Sequence, residues 1–146
     1  MSSTTQRQVG IESLDIVPVV VEDLDEAIEF YTETLGFEVR MDSEFEMEGT
    51  SGRWVTVGVP GQDLQVTLMP AEEEFYDEAA REFVASRLGT ETYYTFRTAD
   101  CEASVAALEA ADVEITREIQ EYPWGKEAMF ADPYGNEFSL FEYAEE

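Results

Sequence analysis

Apolar positions change their spacing along this chain, and each change marks an element. Leu14 to Val21 is rich in Val and Ile and reads as a strand. Asp23 follows as a helix N-cap, with Glu26 three residues on in capping-box position. Leu24, Ala27, Ile28, Tyr31 and Leu35 then form one apolar stripe at helical spacing, which Gly36 ends as a C′ residue. Strands are predicted around Phe37–Met41, Arg53–Val59 and Leu64–Met69, with Pro60-Gly61-Gln62-Asp63 as the turn before the last.

The second half repeats this order. Thr92–Arg97 reads as a strand, Asp100 as a cap, and Val105 and Leu108 lie on the following helix. Val113–Ile115, Glu127–Ala131 and Glu137–Tyr143 are the next strands. Asp23 corresponds to Asp100, Phe37-Glu38-Val39 to Val113-Glu114-Ile115, and Val66-Thr67-Leu68 to Phe138-Ser139-Leu140. The plan is β-α-β-β-β twice, with helices expected at about 23–35 and 100–111. Between the halves, Phe75, Ala79, Phe83 and Leu88 recur at near-helical spacing before Gly89, so a connecting helix is predicted. The division is an N-terminal arm over 1–13, a first module over 14–70, a connecting helix over 71–91 and a second module over 92–146.

The last strand follows a turn made of Asp132-Pro133-Tyr134-Gly135-Asn136, in which Pro133 fixes φ and Gly135 can take positive φ. Together with Asp23, Phe30-Tyr31 and Leu35-Gly36-Phe37, this turn resembles the signature of the vicinal oxygen chelate superfamily. That group contains glyoxalases, extradiol dioxygenases and bleomycin-resistance proteins. The resemblance implies an α+β fold: two tandem βαβββ modules forming an incomplete eight-stranded barrel with helices outside. A ferredoxin-like sandwich fits less well, because three strands follow each helix here.

Composition narrows the partners. A net charge of −26, from 34 acidic and 8 basic residues, argues against nucleic acid or anionic membranes as partners. The carboxylates are spread along the whole chain and Lys126 is the single lysine. An acidic, lysine-poor surface reads as adaptation to concentrated salt, where repulsion is screened within roughly 3 Å at 1 M. One cysteine excludes an internal disulfide and fits a reducing compartment. No apolar run reaches membrane-spanning length, and the first eight residues lack a signal-peptide core, so a cytoplasmic protein is expected.

In metal-using relatives, the resemblance implies a divalent cation held by one side chain from the first and last strand of each module, typically two His and two Glu. Those positions fall on Ile16, Thr67, Tyr94 and Ser139. A one-residue slip gives Asp15, Val66 or Leu68, Tyr93, and Phe138 or Leu140. Neither set can hold a transition metal, and the chain has no histidine, so no metal and no cofactor is expected.

Other residues allow two readings each. Asp15 is a weak candidate for a general base or a solvated strand-edge carboxylate. Cys101 sits in a first helical turn between Asp100 and Glu102, which oppose thiolate formation, and suits a small half-buried packing role. Arg53 could hold an anionic ligand group or pair with a surface acid; Trp54 follows it on the same strand. Trp124, within Tyr122-Pro123-Trp124-Gly125, could stack on a flat ligand or cover the end of the core. By alternation Gln65, Met69, Phe96 and Phe141 join the inward set. The expectation is a pocket for a small, partly aromatic or apolar molecule, in a homodimer. A glyoxalase-like lyase, isomerase or dioxygenase with an unconventional site is the alternative.

Overall fold

In a computed structural model, residues 9–47, 49–71, 77–88 and 92–144 are described. The first module comprises β1 (Ile16–Val21), α1 (Leu24–Glu29), β2 (Glu38–Met47), β3 (Thr50–Gly58) and β4 (Gln65–Pro70). A connecting helix α2 (Glu78–Ser86) leads to β5 (Thr92–Arg97), α3 (Cys101–Ala110), β6 (Glu114–Tyr122), β7 (Gly125–Ala131) and β8 (Glu137–Tyr143). The strands form two mixed four-stranded sheets, ordered β1-β4-β3-β2 and β5-β8-β7-β6, and no closed barrel. In each sheet the first strand pairs parallel with the last, so the same plan has folded twice.

Both caps act as their sequence predicts. Asp23 accepts from the Glu26 amide at 3.0 Å and Asp100 from the Ala103 amide at 3.0 Å, each satisfying a free donor of the first turn. Glu26 does not close a capping box; its carboxylate instead accepts from Tyr134 Oη at 2.8 Å. The first helix also ends unexpectedly. Phe30–Thr34 winds as a π-helical turn, and Gly36 (φ +83) then turns the chain so that the Phe37 amide reaches the Tyr31 carbonyl. The wider turn leaves Tyr31 fully buried, its ring edge-on to Phe30, Phe37 and Phe138.

One continuous core joins the modules. α1 packs on the face of the first sheet that carries Val19, Val21, Val55, Val57, Val66 and Leu68. α3 packs on the corresponding face of the second, which carries Phe130, Phe138 and Leu140. The two halves meet where the Asp132–Asn136 turn docks on α1 and β1. Asn136 donates to the Val20 carbonyl at 2.9 Å and Tyr31 donates to Asp132 at 2.8 Å.

Three elements differ from their predicted extent. β2 runs on to Met47 and β6 to Tyr122; both are outer strands whose charged, exposed residues hide any alternation, and charge on an edge discourages pairing with other chains. α2 is shorter than the predicted 71–91 and starts at an Asp77 cap that accepts from Ala80. Val84 rather than Phe83 is its buried residue, packing with Leu88 on Val20, Met69 and Ala71. α2 thus covers part of the sheet face opposite α1. Phe75 and Gly89 lie outside the described residues.

Candidate functional site

Each sheet has a second face, turned away from α1 or α3, and here the expected ligand positions can be located. On the first sheet, Ile16 is level with Gln65, Pro18 with Thr67, and Thr67 with Thr56. Alternation along β3 places Trp54 on this same face. Ile16, Trp54, Gln65 and Thr67 therefore share one face of the first sheet, with Trp54 two residues along β3 from Thr56. Thr56 donates to Gln65 Oε1 at 2.6 Å, and the buried Thr67 hydroxyl donates to the Val55 carbonyl at 3.3 Å. The result is a half-buried patch of one indole, one amide, two hydroxyls and an aliphatic side chain.

On the second sheet Ser139 occupies the matching face, level with Met129 and Thr95. It is 3 % exposed and donates to Glu127 Oε2 at 2.5 Å. Phe141, near-buried, shares this face two residues on. Glu127 went unnoticed in the sequence because an acidic chain offers no reason to prefer one carboxylate; only its register opposite Phe141 brings it to Ser139.

Tyr94 and Phe96 lie elsewhere. Tyr94 is level with Phe138 and Phe96 with Leu140, so both face α3 and pack into the core. An irregularity between Thr92 and Tyr94 sets this register, and Thr95, not Tyr94, shares a face with Ser139. Tyr94 stacks on Phe138 at 6.1 Å between centroids and donates through its hydroxyl to the Pro18 carbonyl at 2.7 Å. It ties the modules together rather than presenting a ring to the open face.

Arg53 also departs from the expected rim. Neighbours in a strand point to opposite faces, so Arg53 lies on the α1 side, away from Trp54. It forms a bidentate pair with Asp42 at 2.9 Å and reaches Asp25 of the first helix at 2.8 Å. The Asp42 hydrogen bonds, then those to Asp25, raise its already high pKa further, while the Arg53 hydrogen bonds lower that of Asp42. Trp124 sits in the β6–β7 turn, 61 % exposed and stacked flat on Tyr122 at 5.1 Å.

The remaining candidates have structural occupations. Asp15 lies exposed just before β1, accepting from the Ser13 hydroxyl, while its carbonyl accepts from Gln65. Cys101 is completely buried, more than the expected half, and burial followed by Glu102 and Glu142 pushes its thiol pKa up. Asp100, Glu102 and Glu142 are the carboxylate group compact enough to hold an ion among the described residues. It is at the α3 start, with Lys126 already paired to Glu102 at 2.9 Å and Glu142 accepting from the Cys101 amide.

A family-type metal does not fit the residues present. Ile16 has no donor, and the hydroxyls of Thr67 and Ser139 are neutral and engaged with Val55 and Glu127. Thr95 adds only another neutral hydroxyl. A transition metal would exchange water for weaker ligands.

The comparisons fit this architecture. An uncharacterized protein of Shewanella frigidimarina (strain NCIMB 400) is 29% identical over 131 residues, covering 90% of this chain and 93% of its own. The crystal structure of UcmS2 superposes with TM-score 0.78 at 32% identity, over 90% of this chain and 98% of that one. TnmS3, an antibiotic binding protein from Streptomyces sp. CB03234, superposes with TM-score 0.74 at 28% identity, over 92% and 98%. Residues 13–140 match the family described as the Glyoxalase/Bleomycin resistance protein/Dioxygenase superfamily. With its paired βαβββ modules and docked Asp132–Asn136 turn, the chain belongs to that superfamily.

Proposed function

We propose that this protein binds a small, partly aromatic or apolar molecule on the open sheet faces, without a metal and without turning it over. The observation that carries this reading is the patch formed by Ile16, Trp54, Gln65 and Thr67, which offers stacking surface and neutral polar groups but no metal ligand. The similarity to an antibiotic binding protein supports it. Ser139, Phe141 and Trp124 extend the same chemistry to the second sheet and its hairpin. An acidic, lysine-poor surface suits a salty cytoplasm, and the open faces suit a homodimer in which each is covered.

The test is a thermal-shift screen of purified protein against antibiotics and aromatic metabolites in molar KCl. For a ligand so found, Trp54→Ala is expected to weaken binding by about 0.5–1.5 kcal/mol beyond the lost area, the worth of an aromatic stack. Unchanged affinity in both Trp54→Ala and Trp124→Ala would move the site off these faces. The salt reading has its own test. The melting temperature should fall steadily as KCl is withdrawn from 1 M; indifference to salt would contradict it. The rival reading, a lyase or dioxygenase, draws on one feature, the Glu127 carboxylate beside Ser139. Metal-dependent turnover abolished by chelator would favour it over simple binding.

A further inference from the structure

A cleft of about 980 Å³ opens between the modules, running from the helix side past the end of edge strand β5 to Thr95, Arg97 and Tyr143, which by alternation belong to the Ser139 face. Its origin lies in the internal repeat. Counting from the matched strands β4 and β8, Pro60, Gln62 and Leu64 stand where Asp132, Tyr134 and Asn136 stand in the second half. Counting from the matched caps, Leu108 stands where Tyr31 stands and Arg97 where Val20 stands. Two of the three polar arms of the docked turn are therefore replaced by apolar residues, and the third by the shorter Gln62. The Pro60–Gln62 turn is held back on its own module, because Arg40 donates to the Val59 and Gln62 carbonyls at 2.8 Å each. Opposite it, α3 presents only Ser104, Ala107 and Leu108. The joint stays open.

The floor of this cleft is aromatic and aliphatic. Phe37 and Phe96 meet edge-on at 5.6 Å, Phe96 stacks on Phe130 at 6.3 Å, and Leu35 and Leu140 complete the surface. Thr98 and Ser104, joined by a hydroxyl hydrogen bond of 2.6 Å, supply polar groups on one wall. Of the 17 described lining residues none is Asp or Glu, although these make up 34 of the 146 residues in the chain. The one charged residue in the lining is Arg97. Its guanidinium lies 4.9 Å from the centroid of Tyr143 and forms no ion pair among the described residues. In a chain with more than four carboxylates per cation, an arginine with no carboxylate partner among the described residues, beside a cavity whose described lining has no acid, is the feature to explain.

We infer that this cleft is a second binding site, for a small aromatic molecule carrying a carboxylate or a comparable anionic group. The ring lies on the Phe37–Phe96 floor between the Pro60–Gln62 turn and α3. The anionic group meets Arg97, whose planar fork suits a carboxylate, with Thr98 and Ser104 as further hydrogen-bonding partners. The volume is ample for a bicyclic ligand. The acid-free lining rejects cations and spares an anion the repulsion that the rest of this surface would impose.

The experiment uses the full chain in 1 M KCl, with 2-naphthoate and the neutral 2-naphthamide as probes in titration calorimetry. One equivalent of naphthoate should bind, more tightly than naphthamide. Arg97→Gln should weaken naphthoate at least tenfold, the worth of a charge-assisted hydrogen bond, and leave naphthamide unchanged. Ser104→Leu, which fills the cleft from the rim of α3, should weaken both, with circular dichroism and melting verifying the fold. Trp54→Ala, on the other face, should alter neither; sensitivity to Trp54 alone would place the probe on the open face and overturn the inference. Equal affinity for the two probes, or naphthoate binding that survives both Arg97→Gln and Ser104→Leu, would also overturn it, as would no binding at millimolar concentration.

Discussion

The turn before β8 and the turn before β4 occupy equivalent places in a repeated plan, yet one is welded to the other module and the other stands off. The welded turn owes its position to Asp132, which is 5 % exposed and accepts four hydrogen bonds. Two come from amides of its own turn, Tyr134 and Asn136, and shape it. The Tyr31 hydroxyl reaches in from the first module, and the Asn136 side chain links Asp132 to the Val20 carbonyl. Tyr134 adds bonds to the Asp23 carbonyl and to Glu26. The stand-off turn has a proline, a glutamine and a leucine at the matching positions, and its anchor is intramodular. Four polar contacts across the interface are present in one half and absent in the other. Repetition of secondary structure therefore does not repeat the tertiary joint; a few side chains decide which side is closed.

Asn136→Ala should have the largest effect. It removes the donor to the Val20 carbonyl and one of the four donors to a buried carboxylate, and losses of this kind cost about 3 kcal/mol. Urea unfolding should register that loss, while Gln62→Ala, at the Tyr134 equivalent, should change stability by under about 0.5 kcal/mol. Similar losses from both would mean that the two turns are less different than their hydrogen bonds indicate.

Tyr31→Phe should come next, at about 1 kcal/mol near neutral pH, since it deletes one hydroxyl bond and leaves the ring packing intact. The same residue gives a pH signature. Burial first, then Asp132, hold the Tyr31 pKa well above its ordinary value. Unfolded tyrosine ionises near pH 10. Between that value and the raised folded one, the unfolded chain loses a proton that the folded chain keeps. Ionisation of Tyr31 thus leaves stability unchanged below about pH 10 and lowers it above, by up to about 1.4 kcal/mol per pH unit. Tyr31→Phe should flatten this alkaline slope. A slope that is the same in wild type and variant would assign it to other groups.

Much of this was legible in the sequence, for reasons that also explain the failures. Asp23, Asp100 and Gly36 act locally, through bonds within a few residues, so their caps and turn could be read directly. The repeat and the Asp132–Asn136 turn pointed to the family because they are local patterns too. Face assignment was harder. Thr92-Tyr-Tyr-Thr-Phe-Arg97 is strand-forming throughout, with no clean alternation to say which tyrosine points where, and the irregularity near Thr92 decides it. Arg53 could have been separated from Trp54 by alternation alone, but its acidic partners Asp25 and Asp42 come from another element and another strand. The open joint was invisible, because it consists of contacts that do not form.

The smallest effect probes the wall that keeps the second joint open. A Cβ placed on Gly58 would lie 2.7 Å from the Arg40 guanidinium carbon, too close for either atom. That end of a long side chain normally moves aside, but here it is pinned by two turn carbonyls and by Glu38 at 2.9 Å. Gly58→Ala should therefore dislodge Arg40 and release the Pro60–Gln62 turn, at about 1 kcal/mol or less, because solvent can replace part of what a partly exposed arginine provides. If the clash with Arg40 is the cause, Arg40→Gln should carry a similar loss and the double variant little more, a coupling that a double-mutant cycle measures. Faster amide exchange at Gln62 should accompany either change while exchange at Asn136 stays slow, since only one of the two turns is held by Arg40. Additive losses, or equal acceleration at both turns, would mean that the stand-off turn is fixed by something other than the arginine.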